Sequence, residues 1–479
     1  MILVVDVGTS SVRAAVVTAD ATIAHERRAP LLPSSPAPGL VEFDAAELAR
    51  VALDCARAAL ADAGGAVDAV GVTNQRSSVV LWDEATGEPV GPAIGWQDLR
   101  TVGRCLEIRA ETGMLFTPNV TATKLEWLLD HAGRRDGLRA GTVDSWLAWI
   151  LTEGAVHVTD ATNAAVTGLL APDLHGWYGR ILELLHIPPT VMPRIVDSTG
   201  VLGPATALPG APPLAGLAGD QQASLLGQGC VGPGDAKITF GTGGMLDVVL
   251  GAEPPAFTTR GPAGTYPVVA RRVDGHDTFG LEAVMLTAGT SVEWLCGDLG
   301  VLNSVAESHE VAAQCADTGD VWFVPALLGL GTPHWDYGAR GTILGLTRGT
   351  ERPQLVRAVL EGVAHRGADL VEAAEADAGL TIATLRVDGG MAVNPTFGQA
   401  LADATQRPVE VAPVVEATAL GAAFLAGLAI GTWRDSDELA NTWSPRTRIE
   451  PKRALDRDRW RDAVGRAARW VPELSAVDL

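Results

Sequence analysis

Three tight turns rich in glycine and in threonine or serine constrain the fold of this chain more than any other feature. They are Asp6 to Arg13 (DVGTSSVR), Phe240 to Gly244 (FGTGG) and Asp388 to Asn394 (DGGMAVN). Each of the first two interrupts a run of β-branched residues, the pattern of a strand, a turn and a returning strand. Glycine lets the backbone approach an anion closely, and free N–H groups and hydroxyls at such turns donate to phosphate oxygens. The sequence therefore predicts β-hairpins that bind a phosphorylated ligand.

The amino-acid composition is that of a folded α/β protein with room for two domains. Of the 479 residues, 47% are apolar, and glycine and alanine are abundant. The formal net charge of −21 argues against a nucleic-acid partner, because binding a phosphate backbone requires a basic surface. The five cysteines lack CxxC spacing, so we expect neither a disulfide framework nor a zinc site. We expect a cytoplasmic protein, since no signal-peptide pattern precedes the first strand.

One uncharged segment, Ala417 to Trp433, raises the question of a membrane span. A spanning helix usually needs about 20 apolar residues, and this segment is shorter. It is also rich in glycine and alanine, which allow close helix packing. We therefore expect a buried helix.

Helix-like and strand-like segments alternate along the chain, and the pattern restarts once. Asp44, with Glu47 three residues later, predicts a helix start, and a second hairpin at residues 237–250 repeats the arrangement of the first. A duplicated α/β unit with a phosphate hairpin in each copy resembles the actin-like (ribonuclease H-like) ATPase architecture, in which the two domains flank a nucleotide cleft. The predicted organisation is a domain of residues 1–251, a domain of residues 252–434, and a tail of residues 435–479 that packs on the domains with one helix around residues 460–470.

Seven segments in a fixed order extend a resemblance over nearly the full chain. They are DVGTSSVR (6–13), GVTNQRSS (71–78), GWQDLRT (95–101), VTATKLEWLLDH (120–131), AGDQQASLLGQG (218–229), GLGTPHWDYGARGTILGLTRGT (329–350) and LRVDGGMAVN (385–394). Through these segments the chain resembles the FGGY family of carbohydrate kinases, most closely its glycerol kinase branch. The resemblance implies ATP- and Mg²⁺-dependent phosphorylation of a terminal hydroxyl of a small sugar or polyol. It also implies that the first domain binds this acceptor and that the second lies on the adenosine side.

The nucleotide side of the predicted site lies on the three glycine-rich turns. Asp6 ends the first predicted strand, where its carboxylate can hold Mg²⁺ or its waters. The alternative is an aspartate that only caps the turn. In the same turn, the residues that can meet the phosphates are Thr9, Ser10 and Arg13. The resemblance assigns further nucleotide contacts to Thr242, Gly289, Gly390, Asn394 and Glu293, the last of which stands where the family often has glutamine.

Asp220 is the predicted general base. It lies between a run of small residues and residues 221–229, at the junction of a predicted strand and a helix. An isolated aspartate at such a junction is often only a helix N-cap. In the family that this chain resembles, the matching aspartate accepts the proton of the acceptor hydroxyl. We therefore expect Asp220 to act in catalysis, with or without a capping role.

The acceptor pocket combines residues that match the family and residues that do not. Arg76 and Trp96 match the glycerol kinase residues that hold hydroxyls and cover the carbon skeleton, and Gln221 is expected to contact the acceptor beside Asp220.

Three other positions of the pocket depart from the glycerol-specific pattern. Ser77 stands where glycerol-specific members have glutamate, Asn119 where they have tyrosine, and Met245 where they have phenylalanine. These changes open volume and remove a carboxylate, and a site built to bind a hydroxyl discriminates strongly once its partner is lost. They predict a larger or differently hydroxylated acceptor, a polyol or ketose of roughly four to six carbons.

Two alternatives remain open at this point. Neighbouring residues could compensate for the three departures, which would leave glycerol as the substrate. In another class of function, the chain would be an actin-like sensor that binds ATP and a sugar without transfer. The expected partner is a small-molecule sugar or polyol, with no nucleic acid and no membrane, and a homodimer is left open.

Overall fold

The computed structural model describes residues 1–413 and 416–477, which form two α/β units. The strands of the first unit are β1 (Ile2–Val7), β2 (Ser11–Val17), β3 (Ile23–Pro30), β4 (Glu42–Phe43), β5 (Ala69–Asn74), β6 (Val79–Asp83), β7 (Ala93–Ile94), β8 (Leu138–Thr142), β9 (Val158–Asp160), β10 (Arg194–Val196), β11 (Thr199–Pro204) and β12 (Pro213–Gly219). Its helices are α1 (Ala45–Asp62), α2 (Val102–Thr112), α3 (Thr121–Ala132), α4 (Val143–Leu151), α5 (Ala161–Ala165), α6 (Gly179–Leu184) and α7 (Asp220–Gly227), with a 3₁₀ turn at Pro189–Val191.

The second unit follows the same alternation of strands and helices. Its strands are β13 (Ala236–Phe240), β14 (Gly244–Gly251), β15 (Tyr266–Val273), β16 (His276–Met285), β17 (Trp322–Val324), β18 (Thr342–Leu344), β19 (Leu385–Asp388), β20 (Val409–Val411) and β21 (Thr447–Ile449). Its helices are α8 (Gly289–Gly297), α9 (Glu307–Ala312), α10 (Arg352–Ala378), α11 (Pro395–Thr405), α12 (Ala417–Ile430), α13 (Ser436–Ala440), α14 (Arg457–Ala467) and α15 (Pro472–Ser475).

The main sheets of the two units share a strand order. The first sheet runs β11–β12–β5–β1–β2–β3, and the second runs β15–β16–β14–β13–β19–β20–β21. In each sheet an antiparallel hairpin, β1–β2 or β13–β14, carries a glycine-rich turn. Parallel strands extend each hairpin on one side, β5 and β12 in the first sheet and β19 and β20 in the second. The order matches the predicted duplication, but the hairpin β13–β14 belongs to the second sheet, so the second unit begins before the predicted boundary at residue 251. A smaller sheet, β4–β7–β6–β8, flanks the first unit.

Helices α7 and α12 cross at very short range. A Cβ atom at Gly227 would lie 1.9 Å from the carbonyl oxygen of Ala417, and one at Gly421 would lie 1.8 Å from that of Ala223. Real Cβ contacts essentially never fall below 3.0 Å, so only glycine fits at these two positions. Helix α7 also contacts strands of both main sheets, which places the crossing between the two units.

Helix α12 is the buried helix predicted for the uncharged segment, and it covers one face of the first sheet although its sequence lies between strands of the second sheet, β20 and β21. Its apolar side chains form one cluster with Ile2, Val4, Ala69 and Ala215 of β1, β5 and β12. The opposite face of the sheet packs on α1 and α4. Within residues 1–413 and 416–477, no helix is both long and apolar enough to cross a membrane.

The C-terminal tail contributes more regular structure than its composition predicted. Strand β21 pairs with β20 at the edge of the second main sheet. The predicted helix is α14, which begins at Arg457, and its buried Trp460 stacks on His365 of α10 with ring centroids 4.8 Å apart. Strand β21 was not predicted, because its three residues are too few to show the alternation of apolar and polar residues that reveals longer strands.

Candidate active site

The second and third glycine-rich turns lie against each other in the second unit. The N–H group of Gly289, the first residue of α8, donates a hydrogen bond to the carbonyl of Gly241 (2.9 Å). Gly389, with φ +86°, packs so closely on Phe240 that a Cβ atom would lie 2.4 Å from its carbonyl oxygen. The two turns and the start of α8 therefore form one continuous surface, rich in glycine and in backbone N–H groups.

Four of the predicted nucleotide residues border this surface in different ways. Thr242, Glu293 and Gly390 are exposed. Asn394 is the N-cap of α11, where its side-chain oxygen accepts a hydrogen bond from the N–H group of Phe397 (3.1 Å) and its amide donates to a serine hydroxyl (3.0 Å). The side chain of Asn394 therefore already makes two hydrogen bonds within the protein, and its predicted role in binding a nucleotide stays a prediction.

The first phosphate hairpin places Asp6 and Arg13 opposite each other on β1 and β2. Arg13, which was predicted to meet phosphates, forms ion pairs with Glu416 and with Glu26 (3.2 Å), and it lies 3.7 Å from Asp6. Burial raises the pKa of Asp6 to about 6, because the loss of solvent outweighs the lowering by Arg13. A bound cation would stabilise the charge of this desolvated carboxylate, so Asp6 is a suitable ligand for Mg²⁺.

A magnesium ion here would need ligands other than protein side chains. The described residues contain no group of three histidine, cysteine, aspartate or glutamate side chains that could hold a metal ion. Mg²⁺ often keeps several waters and binds through one or two carboxylates together with substrate phosphates. Asp6 fits that pattern.

Trp96 connects the first phosphate hairpin to the acceptor region. Its indole N–H donates a hydrogen bond to the hydroxyl of Thr9 (3.2 Å), and its backbone N–H donates to the hydroxyl of Ser78 (3.0 Å). Ser10 is exposed next to Thr9 at the turn. Trp96 therefore lies between the predicted phosphate-binding turn and the predicted acceptor pocket.

Arg76 reaches across the cleft from the end of β5 to the second unit. Its Nη2 donates to Oε2 of Glu282 on β16 (2.6 Å), and its Nε lies 3.5 Å from Oδ1 of Asp220. Its Nη1 is buried and has no hydrogen-bond partner among the described residues. An orphaned guanidinium N–H next to Asp220 is a donor available to an acceptor oxygen.

Asp220 is not the N-cap that its sequence position also allowed. Gly219 is the N-cap of α7, and Asp220 is the first helical residue, whose Oδ1 accepts a hydrogen bond from the N–H group of Gln221 (2.8 Å). The side chain is 29% exposed toward the cleft. Loss of solvation raises its pKa, although Arg76 acts in the opposite direction. A carboxylate that binds a proton more readily than usual is a better general base.

A buried polar network fixes the strand ends that carry Asp220 and Arg76. The N–H group of Gly219 donates to the hydroxyl of Thr162 (2.9 Å), which donates to Asp160 (2.9 Å). Asp160 also accepts from the amide of Asn163 (3.0 Å), which exchanges hydrogen bonds with Asn74 (3.0 and 3.2 Å) at the end of β5. These side chains are fully buried. The network therefore sets the spacing of β5 and β12 at the cleft.

Three charged residues of the site were missed by sequence reasoning. Lys237, Asp247 and Glu282 occupy neighbouring positions on β13, β14 and β16. The Nζ atom of Lys237 donates to Oε1 of the predicted acceptor residue Gln221 (2.6 Å) and lies 2.9 Å from Oδ2 of Asp247. The available signal was the single charge inside each of the apolar strands β13 and β14, because charged residues are almost never fully buried unless they are paired.

The three residues that depart from the glycerol-specific pattern all lie near Trp96 or on the cleft side of β14. Ser77, with φ +63°, uses its hydroxyl to donate to the carbonyl of Val166 (3.0 Å). Asn119 is exposed, and its amide donates to the carbonyl of Trp96 (3.2 Å). Met245 is half-buried, two residues before Asp247 on the same side of β14. Position 77 therefore offers no carboxylate to an acceptor.

Lys124 of α3 holds the segments that carry Trp96 and Asn119. Its fully buried Nζ donates to the carbonyls of Gly95 and Asn119 (3.0 Å each). Burial lowers the pKa of Lys124 to about 7. The buried amine of Lys124 therefore links the two segments that carry Trp96 and Asn119.

Comparison with known proteins places both halves of the chain in one family. The model of the N-terminal domain of the FGGY family of carbohydrate kinases matches residues 1–227, and that of the C-terminal domain matches residues 236–430. A protein named glycerol kinase from Aromatoleum aromaticum is 44% identical over 495 residues, covering 98% of this chain and 99% of the relative. Glycerol kinase 2 of Thermotoga maritima is 40% identical with the same coverage.

Solved structures of sugar and glycerol kinases share the fold over nearly the full length of this chain. The structure of Plasmodium falciparum glycerol kinase with ADP matches with a TM-score of 0.90 and 28% identity, covering 100% of this chain and 99% of that one. The xylulose kinase from Rhodospirillum rubrum matches with a TM-score of 0.84 and 26% identity, covering 98% and 99%.

Proposed function

Because this chain belongs to the FGGY family of carbohydrate kinases, we propose that its cleft binds ATP and a small acceptor with Asp220 as the general base. The enzyme transfers a phosphoryl group from ATP to a hydroxyl of a small sugar or polyol. A sensor without transfer is not supported, since the relatives that match over the full chain are named kinases. The observation that carries the proposal is the desolvated Asp220 carboxylate, open to the cleft beside Arg76.

Each part of the transfer has a residue suited to it. Asp220 accepts the proton of the attacking hydroxyl, and the orphaned Nη1 of Arg76 donates a hydrogen bond to the acceptor. The backbone N–H groups of the glycine-rich turns stabilise the phosphoryl charge. When bound at Asp6 with its waters, Mg²⁺ supplies charge neutralisation to the phosphates.

The acceptor that we propose is a neutral polyol or ketose longer than glycerol. Ser77 supplies no carboxylate and its hydroxyl is used by Val166. Asn119 and Met245 are smaller or more flexible than the aromatic residues that the resemblance implied. We therefore expect the pocket to admit more than a three-carbon skeleton, and position 77 lacks the carboxylate that would fix two adjacent hydroxyls.

Glycerol is the second candidate, and the relatives named glycerol kinase at 40–44% identity favour it. ADP release with ATP and Mg²⁺ separates the two candidates when kcat/KM is compared for glycerol, tetritols, pentitols, pentuloses, hexuloses and gluconate. We expect a longer neutral acceptor to give the highest kcat/KM. If glycerol is the best of the panel at ordinary kinase efficiency, the pocket argument is wrong and glycerol is the substrate.

A further inference from the structure

A buried lysine lies directly behind the acceptor residue Gln221. Lys237 is 0% exposed and its counter-charge Asp247 is 1% exposed. The two side chains are cross-strand neighbours on the side of the second sheet that faces α7, and Glu282 is next to Asp247 on β16. A buried ion pair is seldom more stabilising than well-packed apolar residues of the same volume. Stability alone is therefore a weak explanation for this pair.

The hydrogen bonds of Lys237 determine which way the amide of Gln221 faces. The ammonium group has three protons and no acceptor, and its Nζ contacts Oε1 of Gln221 (2.6 Å), the hydroxyl of Thr239 (3.0 Å) and Asp247 (2.9 Å). Because a lysine can only donate, the oxygen of the Gln221 amide must face it. The amide NH₂ of Gln221 is then left for the cleft, so that Gln221 can only donate to a ligand.

Asp247 is the direct ion-pair partner of Lys237. Apart from the ion pair, neither carboxylate oxygen of Asp247 has a hydrogen-bond partner within the described parts of the chain. The charge of Lys237 lowers the pKa of Asp220, and the charge of Asp247 raises it. The pair therefore provides a directed donor behind Gln221 without adding a net positive charge near the general base.

We propose that Lys237 is a positioning residue of the acceptor site, which fixes the amide of Gln221 as a hydrogen-bond donor, and that Asp247 is its neutralising partner. The inference rests on the proposed function, since it requires an acceptor in the cleft. The acceptor then presents an oxygen lone pair, from a hydroxyl or a carbonyl group, at the point that Gln221 reaches.

The test compares variants in their KM for the best acceptor of the wild-type enzyme. Lys237→Met alone leaves a buried unpaired carboxylate and can fail to fold, so the main variant is the double substitution of Lys237→Met with Asp247→Leu. We expect the acceptor KM of the double variant to rise about 10-fold or more, with little change in the ATP KM. Gln221→Leu should raise the acceptor KM similarly, and adding it to the double variant should cause little further increase.

A matched control and a pH profile separate positioning from loss of packing. Arg272→Met breaks a buried ion pair with Asp277 (2.7 Å) elsewhere on the second sheet, and it should lower Tm without changing the acceptor KM. Asp247→Asn should move the acidic limb of the kcat/KM profile to lower pH, because the charge of Lys237 is then uncompensated.

Two failures have different meanings. A folded double variant with an unchanged acceptor KM, or an effect of Gln221→Leu that adds in full to that of the double variant, overturns the role of Lys237. Lack of turnover by the wild-type enzyme with every acceptor overturns the proposed function as well.

Discussion

Asp220, the proposed general base, can be compared with Asp44, a capping aspartate of the same chain. Asp44 is a true N-cap, whose Oδ1 accepts hydrogen bonds from the N–H groups of Ala46 (2.9 Å) and Glu47 (3.0 Å). Asp220 follows the N-cap of its helix, and among the residues that the structure describes it accepts a hydrogen bond only from its neighbour Gln221 (2.8 Å). The two substitutions Asp220→Asn and Asp44→Ala should therefore have opposite effects on activity and stability.

The expected magnitudes follow from these contacts. Loss of a general base lowers kcat about 100- to 10,000-fold, which is about 3 to 5.5 kcal/mol in activation free energy. The unfolding free energy should change by less than about 1 kcal/mol in Asp220→Asn, since the amide oxygen of asparagine can still accept the hydrogen bond from Gln221 and a desolvated charge is relieved. Arg76 keeps its ion pair with Glu282 (2.6 Å) in this variant. Asp44→Ala should lower the unfolding free energy by about 1 kcal/mol and leave kcat unchanged.

Both quantities can be measured on the same preparations. ADP release under saturating ATP and acceptor gives kcat, and urea denaturation in the same buffer gives the unfolding free energy. If Asp220→Asn keeps more than a tenth of the wild-type kcat, Asp220 is not the base. If Asp44→Ala loses activity as severely, the distinction drawn from the two helix starts is wrong.

Three further predictions concern specificity, pH and metal. Ser77→Glu should raise kcat/KM for glycerol relative to longer acceptors by about 10-fold, because it restores a carboxylate to the pocket; an unchanged ratio in the ADP-release assay would remove Ser77 as a determinant. Burial and the neighbouring Asp160 raise the pKa of Asp144 to about 7, so between about pH 4 and 7 the folded state holds a proton that the unfolded state has lost. The contribution of Asp144 to the unfolding free energy therefore decreases as pH rises through this window, by up to about 1.4 kcal/mol per pH unit, and Asp144→Asn should flatten the dependence measured by urea denaturation at several pH values. An identical slope in the variant would contradict this assignment. Asp6→Asn should raise the Mg²⁺ concentration for half-maximal rate by about 10-fold or more, and an unaltered Mg²⁺ titration would place the metal elsewhere.

Local features of the fold were predictable from sequence because their causes are local. Glycine-rich turns between β-branched runs predicted the β1–β2 and β13–β14 hairpins at the correct positions. Asp44 marked the start of α1, and the absence of charge in residues 417–433 marked the buried helix α12.

The missed residues owe their roles to distant partners. Glu282 contacts Arg76, which lies 206 positions away in the sequence. Lys237 contacts the predicted acceptor residue Gln221 only because α7 packs against the second sheet. No local pattern reports such a contact. The same holds for Arg13, whose pairing with Glu416 depends on how α12 returns to the first unit.

The position of α12 has a consequence for the synthesis of the chain. The face of the first sheet formed by Ile2, Val4 and Ala215 is covered by side chains of residues 419–426, which leave the ribosome long after the strands that they cover. Domains generally fold in order from the N-terminus during synthesis, but here an apolar sheet face stays uncovered until most of the chain has been made. A chain cut before residue 417 would therefore leave this apolar face without the helix that covers it.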